Sequence, residues 1–225
     1  MSFQVKEPVL VIGLGGVGSK LANEAKNTLN SDCLMISNDS KDFSSENESI
    51  QVSTNSIINP SVQLIRGSTY KVSKEIKSKI SQYSTIILMS NLAGKAGSAM
   101  APVVSEMCKE TDKGLISFAV MPFKYEKERI FNSGIALKRI RENSQCTIVL
   151  DNDSLLESNP DLTSPEVVRA VANDANITII GKKTLWRMTI QKTRLRFFRI
   201  GSLSGKERPT NSRISLWALM SSANQ

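Results

Sequence analysis

The chain has 225 residues, enough for one well-cored domain with an appendage and short for two full domains. It contains no histidine, which excludes a Ser-His-Asp or Cys-His nucleophile and any histidine-ligated metal; Cys33, Cys108 and Cys146 are far apart, odd in number and each beside an apolar run, the pattern of buried thiols in a reducing compartment rather than of a disulfide framework or zinc site. The formal charge of +8 sits at one end: residues 182–225 hold ten Lys/Arg and one acid, Glu207, whereas residues 1–181 hold nineteen basic and twenty acidic residues.

Taken in chain order, VLVI at 9–12 reads as a short buried strand, followed by glycines and a helical stretch near 17–29, where Val17, Leu21, Ala25 and Leu29 recur every four residues. CLMIS at 33–37 is a second strand, and the polar run NDSKDFSSENES after it buries little and belongs on the surface. Residues 50–69 carry a short strand signal, IQVS, and a loop with Asn59-Pro60; from about 70 to 82, Val72, Ile76 and Ile80 mark one face of a helix. TIILMS at 85–90 is the next strand, then a Gly/Ala loop, then a helix over about 101–112 with Pro102 in its first turn, where a missing N–H costs nothing. GLISFAVM at 114–121 is a strand, 127–142 a helix and CTIVL at 146–150 a last buried strand.

Short apolar strands alternating with amphipathic helices predict an α/β fold: a doubly wound, mostly parallel sheet with helices on both faces. Ligands of such sheets bind beyond the carboxyl ends of the strands, so the loops after residues 12, 37, 90, 121 and 150 are expected to open onto one site. The domain is expected to run over 1–181, with 182–225 a basic tail, irregular in structure and suited to an anionic partner, either a membrane surface or nucleic acid. No window approaches 18 consecutive apolar residues and the start carries no secretory leader pattern, so the expected location is cytoplasmic.

GLGGVG at 13–18 follows a strand and opens a helix, where glycine permits a sharp turn and free amides attract a phosphate. Alone it fits several chemistries. It matches a dinucleotide fingerprint, with Asp39 placed for an NAD ribose, and it equally resembles the first loop of ThiF-like adenylating enzymes, so an NAD-dependent oxidoreductase and an adenylating enzyme are both open readings. In DND, Asp151 and Asp153 suit a turn or a helix cap better than a metal site.

Further on, SNLAGKAGSAMAPVVSEMCKE, then PFKYEKER, then CTIVLDNDSLLE occur in the order and at the separations of the FtsZ/tubulin family: a glycine-rich phosphate loop entering a helix through APVV, a PFSFEG-like loop and an NDxLLE segment. The chain therefore resembles the nucleotide-binding domain of that family over about residues 7–175 and lacks its C-terminal half. The resemblance implies a Rossmann-like GTPase domain binding GTP or GDP, with Mg²⁺ where nucleotide is bound. It places Gly15, Gly16 and Gly18 in the first phosphate loop, Asn38 and Asp39 at the segment after the second strand, and Asn59-Pro60 in the next loop. It places Gly94, Gly97 and Ser98 in the main phosphate loop, Glu126 and Arg129 near ribose and phosphate, and Asn173 at the guanine edge, with Arg169 where the family has an aromatic.

The departures point to weak or lost nucleotide binding. Ala93-Gly94-Lys95-Ala96-Gly97-Ser98-Ala99 stands where the family has a denser run of glycines and threonines, and Lys95 supplies a charge in partial exchange. No aspartate follows Asp174, so the acidic loop that completes a neighbouring subunit's site in the family is not in this sequence, and hydrolysis by this chain alone is not expected. The expected role is that of a cytoskeletal or cell-division protein, a pseudo-GTPase that assembles with itself or an FtsZ-like homologue as a dimer or filament.

Overall fold

The computed structural model describes residues 5–55, 58–153, 176–180, 184–191 and 194–202. Strands β1 (Val9–Leu14), β2 (Asp32–Ser37), β3 (Glu48–Gln51), β4 (Thr85–Asn91), β5 (Gly114–Met121) and β6 (Cys146–Asp151) form one sheet in the order β3-β2-β1-β4-β5-β6. Every pair in it is parallel, with Ile12 opposite both Leu34 and Leu88, and Phe118 opposite Ile148. The strands read as continuous apolar runs because both faces of the sheet are covered.

Alternation along the strands separates the two faces. Leu10, Ile12, Leu14, Leu34, Ile36, Ile86 and Leu88 face a core completed by Ile65 of α2 (Val62–Lys71), Ile76 and Ile80 of α3 (Ser73–Ser81), Met100 and Val104 of α4 (Lys95–Glu110), and Ala136 and Ile140 of α5 (Lys127–Asn143). Helix α1 (Gly15–Leu29) packs on the opposite face, so close over Gly13 that a Cβ there would lie 2.7 Å from Gly18 O and 2.8 Å from Ala22 Cβ. The sequence-predicted doubly wound α/β sheet is therefore present.

Three local expectations need correction. The helix predicted over about 70–82 is present as α3, but the stretch before it, read as a short strand and loop, holds a further helix: α2, whose Gly67, Ser68 and Thr69 are weak helix formers, is set by Ser61, whose hydroxyl caps Leu64 N at 3.2 Å, and by burial of Ile65. Helix α4 begins at Lys95, six residues earlier than expected, and Pro102 lies inside it. The ladder starts as soon as the chain leaves β4, with Ser98 N bonded to Gly94 O at 3.0 Å, and buried packing of Met100 to Val104 against the sheet outweighs the hydrogen bond that Pro102 removes.

The third correction concerns 182–225, read from sequence as irregular. Strands β7 (Asn176–Ile180), β8 (Thr184–Gln191) and β9 (Arg194–Ser202) form a second, antiparallel sheet in the order β7-β8-β9, so two of its strands lie within that stretch. Its register pairs Gln191 with Arg194, Thr189 with Arg196 and Arg187 with Phe198, which puts Arg187, Arg194 and Arg196 on one face with Thr189 and Gln191. The alternate positions Trp186, Met188, Ile190, Leu195, Phe197 and Arg199 fall on the other face with Ile177 and Ile179, and Phe198 falls on the first. Arg194 and Arg196 thus alternate at a strand period, which Phe198 and Arg199 then break. Among the described residues no helix is long and apolar enough to cross a membrane.

Candidate functional site

An all-parallel sheet brings the carboxyl ends of its strands to one edge, and the order β2-β1-β4 makes β1 the strand from which the chain is wound in both directions. The crevice between β1 and β4 is the switch point at which ligands of such folds bind. Both helices that leave it, α1 and α4, start there directly, at Gly15 after Leu14 and at Lys95 after Gly94. Neither N-cap supplies a side-chain hydrogen bond, and neither first turn holds an acidic residue. Two helix N-termini with unsatisfied amides and the positive ends of their dipoles therefore share one edge of the sheet.

The two turns touch. Gly15 has φ of 67°, a left-handed conformation that an L-residue with a Cβ adopts at a cost, and a Cβ there would also lie 2.8 Å from Ala96 Cβ and 3.8 Å from Gly97 N. Gly97 is required by a different contact: an added Cβ would collide with the backbone of Asn91, meeting its oxygen first, its carbonyl carbon at 2.8 Å and its nitrogen at 3.1 Å. Gly18 lies under the sheet, against Met89 O, and Gly94 is the extended N-cap of α4. Packing alone accounts for glycine at positions 18 and 97; at Gly15 the left-handed turn requires it as well.

Ser98 lies in the first turn of α4 but does not present a donor. It is 4% exposed, its hydroxyl donates to Gly94 O at 2.9 Å and Lys95 O at 3.2 Å, and its amide is already in the helical ladder. The amides left without helical partners are those of Lys95, Ala96 and Gly97. Lys95 extends from this turn to Asn59, whose side-chain oxygen accepts from Nζ at 2.7 Å, so the Asn59-Pro60 loop and the start of α4 are tied together at the same edge.

The remaining loops close the edge. Asn38 follows β2, half-buried, and Asp39 caps a short 3-10 turn at Ser40–Asp42 by accepting from Lys41 N at 3.0 Å, so its carboxylate serves the backbone. After β5, Glu126 accepts from Phe123 N at 3.1 Å and pairs with Arg129 at 2.6 Å, while the Phe123 and Tyr125 rings stack at 5.2 Å. Ser133 of α5 donates to Leu92 O at 2.7 Å, joining that helix to the loop after β4. Asp153 accepts from Lys124 N at 2.7 Å, and its own amide donates to Asp151 Oδ1 at 3.1 Å, the turn-forming role read from sequence. Gly15, Gly16, Gly18, Asn38, Gly94, Gly97, Ser98, Glu126 and Arg129 thus all lie on loops or first helical turns at one sheet edge; Asn173 and Arg169 lie outside the described residues.

Burial pushes the Cys108 and Cys146 thiols up to about 12 and Cys33 to about 11, with Lys26 drawing the last one down slightly, so none is a nucleophile near neutrality. Among the described residues no group of three or more Cys, Asp or Glu side chains could hold a metal ion.

A family model described as "Tubulin/FtsZ family, GTPase domain" matches residues 28–160, more than half of the chain. The chain belongs to the tubulin/FtsZ family. It is 26% identical over 186 residues to the cell division protein FtsZ of Neisseria gonorrhoeae, covering 77% of this chain and 46% of that protein. With cell division protein FtsZ 1 of Pyrococcus abyssi it shares 25% over 174 residues, covering 71% and 45%. Among solved structures, an empty FtsZ dimer from M. jannaschii superposes with a TM-score of 0.66 at 19% identity, covering 75% of this chain and 52% of that one. TubZ of Clostridium botulinum phage c-st superposes at 0.58 with 15% identity, covering 75% and 57%. The fold agrees with these neighbours, and the chain spans about half the length of the FtsZ proteins it matches. The family assignment favours neither the oxidoreductase nor the adenylating reading of the first glycine loop.

Proposed function

We propose that this chain binds guanine nucleotide weakly at the carboxyl edge of β1 and β4, and acts by assembly in the cytoplasm, with itself or with an FtsZ-like homologue, as a cytoskeletal or cell-division protein. The observation that carries the reading is the meeting of two uncapped helix N-termini at the switch point of a tubulin/FtsZ GTPase domain. The amides of Gly15 and Gly16 and of Lys95 to Gly97, with the Lys95 ammonium, suit the phosphates of GTP or GDP. Mg²⁺ would be held mainly by the phosphates, since the described residues offer no carboxylate cluster for it.

Weakness follows from the same turns. Lys95 and Ala96 replace residues that would leave backbone free to wrap phosphate, Ser98 spends both donors inside α4, and Arg129 is paired with Glu126. The acids at this edge are engaged, Asp39 by Lys41 N, Glu126 by Phe123 N and Arg129, and Asp42 by Ser37, so turnover is left to carboxylates from another subunit, and the chain alone is a pseudo-GTPase. The test is thermal unfolding with millimolar GTP and Mg²⁺ beside NADH, together with sedimentation alone and with full-length FtsZ. A melting shift for GTP only, with association, sustains the proposal; an NADH shift, or neither shift nor association, overturns it.

A second role is favoured by the charge partition, with Arg187, Arg194 and Arg196 at same-face positions of β8 and β9 and Arg199 on the other face. We propose that residues 182–225 attach the domain to an anionic surface, membrane or nucleic acid. Deleting them is expected to abolish salt-sensitive binding to anionic vesicles and DNA; binding unchanged by the deletion would refute it.

A further inference from the structure

The glycine at position 16 is explained by a carboxylate, and that carboxylate bears on how the site treats anions. A Cβ built on Gly16 would lie 2.5 Å from Asp42 Oδ1 and 3.2 Å from its carboxyl carbon, so the Asp42 side chain sits directly against the first turn of α1. It is held there. Its other oxygen accepts from the hydroxyl of fully buried Ser37, at the end of β2, and its amide donates to Asp39 O at 3.2 Å within the 3-10 turn that Asp39 caps. Ser37 Oγ in turn accepts from Asp39 N at 3.2 Å, so strand end, turn and carboxylate form one hydrogen-bonded unit.

A carboxylate beside an uncapped helix N-terminus without acidic residues of its own is favourable, and it supplies the negative charge the dipole attracts. An arriving phosphate seeks the same position. Two anions there repel, and the low-dielectric edge of a packed sheet strengthens the repulsion.

We propose that Asp42 is an internal competitor for the phosphate position at α1, an autoinhibitory carboxylate that keeps polyphosphate affinity low and makes binding depend on a divalent cation. The consequence is asymmetric: the α4 turn, with Lys95, receives phosphate, and the α1 turn yields only when Asp42 is neutralised or screened. This rests on the nucleotide-site reading above, but its direct ligand is the phosphate group, independent of the base.

The experiment uses the full chain and its Asp42→Asn variant, an isostere whose amide oxygen can still accept from Ser37. Calorimetric titration is run with inorganic pyrophosphate, GDP and ADP, each in EDTA and in Mg²⁺. Asp42→Asn is expected to tighten pyrophosphate binding by about tenfold or more in EDTA and by less in Mg²⁺. Ser37→Ala, which releases the carboxylate from its tether, is expected to shift affinity the same way by a smaller factor. Affinity in Asp42→Asn that is unchanged or lower overturns the proposal, and a loss confined to Mg²⁺ assigns Asp42 to cation binding instead. A pyrophosphate gain with GDP no tighter than pyrophosphate or ADP sustains the competing carboxylate and refutes the guanine reading.

Discussion

Gly97→Ala tests the geometry of the edge without any ligand. The added methyl would press on three backbone atoms of Asn91, with only its oxygen closer than the 2.8 Å of the carbonyl carbon. Asn91 cannot recoil cheaply, because β4 pairs there with Val120, Leu92 N donates to Val120 O at 2.8 Å, and Asn91 Oδ1 holds Ala93 N at 3.0 Å. Overpacking against a fixed neighbour costs about 1–3 kcal/mol. For a chain of this size that is a fall in Tm of about 4–8 °C at about 2 kcal/mol. The matched control is Gly67→Ala, in an exposed position of α2 where a Cβ would meet nothing within 4 Å. There the helix gains about 0.5–1 kcal/mol and Tm rises. Thermal unfolding followed by circular dichroism reads both. Equal effects of the two substitutions, or a stable Gly97→Ala, would refute the close approach of α4 to the end of β4.

Lys95→Ala is expected to weaken GDP binding about five- to tenfold, as the loss of one charge-assisted contact would, measured by titration with a fluorescent GDP analogue. Ser98→Ala, which removes a hydroxyl bonded only within its own helix, is expected to leave that affinity within about twofold. The raised thiols of Cys108 and Cys146 set the alkaline limit: in the unfolded chain they ionise from about pH 9, in the folded chain only near pH 12, so their contribution is intact below pH 9 and is lost above it. Cys146→Ala is expected to flatten the fall of stability between pH 9 and 12 by up to about 1.4 kcal/mol per pH unit, read from urea unfolding at each pH.

The sheet was legible because its strands are buried on both faces and so stand out as unbroken apolar runs between amphipathic helices. Boundaries were not. The start of α4 was missed because Gly94 to Ser98 read as a flexible loop, whereas the helix starts directly after Gly94. Helix α2 was missed because its burial rests on few residues, Ile65 above all, and its middle holds Gly67, Ser68 and Thr69. The strands after residue 176 carried an alternation that arginine masked.

The site was legible in its motifs and illegible in its contacts. GLGGVG, the Gly/Ala loop and PFKYEKER could be placed at one edge from topology alone. That Gly16 faces Asp42, or that Ser98 turns its hydroxyl back on its own helix, follows from contacts between loops that no local pattern encodes.

The central claim is that phosphate is received where α1 and α4 begin. Amide NMR spectra of the labelled chain, titrated with GDP and Mg²⁺, test it most directly. Shifts centred on Gly15, Gly16 and Lys95 to Gly97 are the expected result; a GDP response confined to residues 182–225, or no response at millimolar GDP, would contradict it.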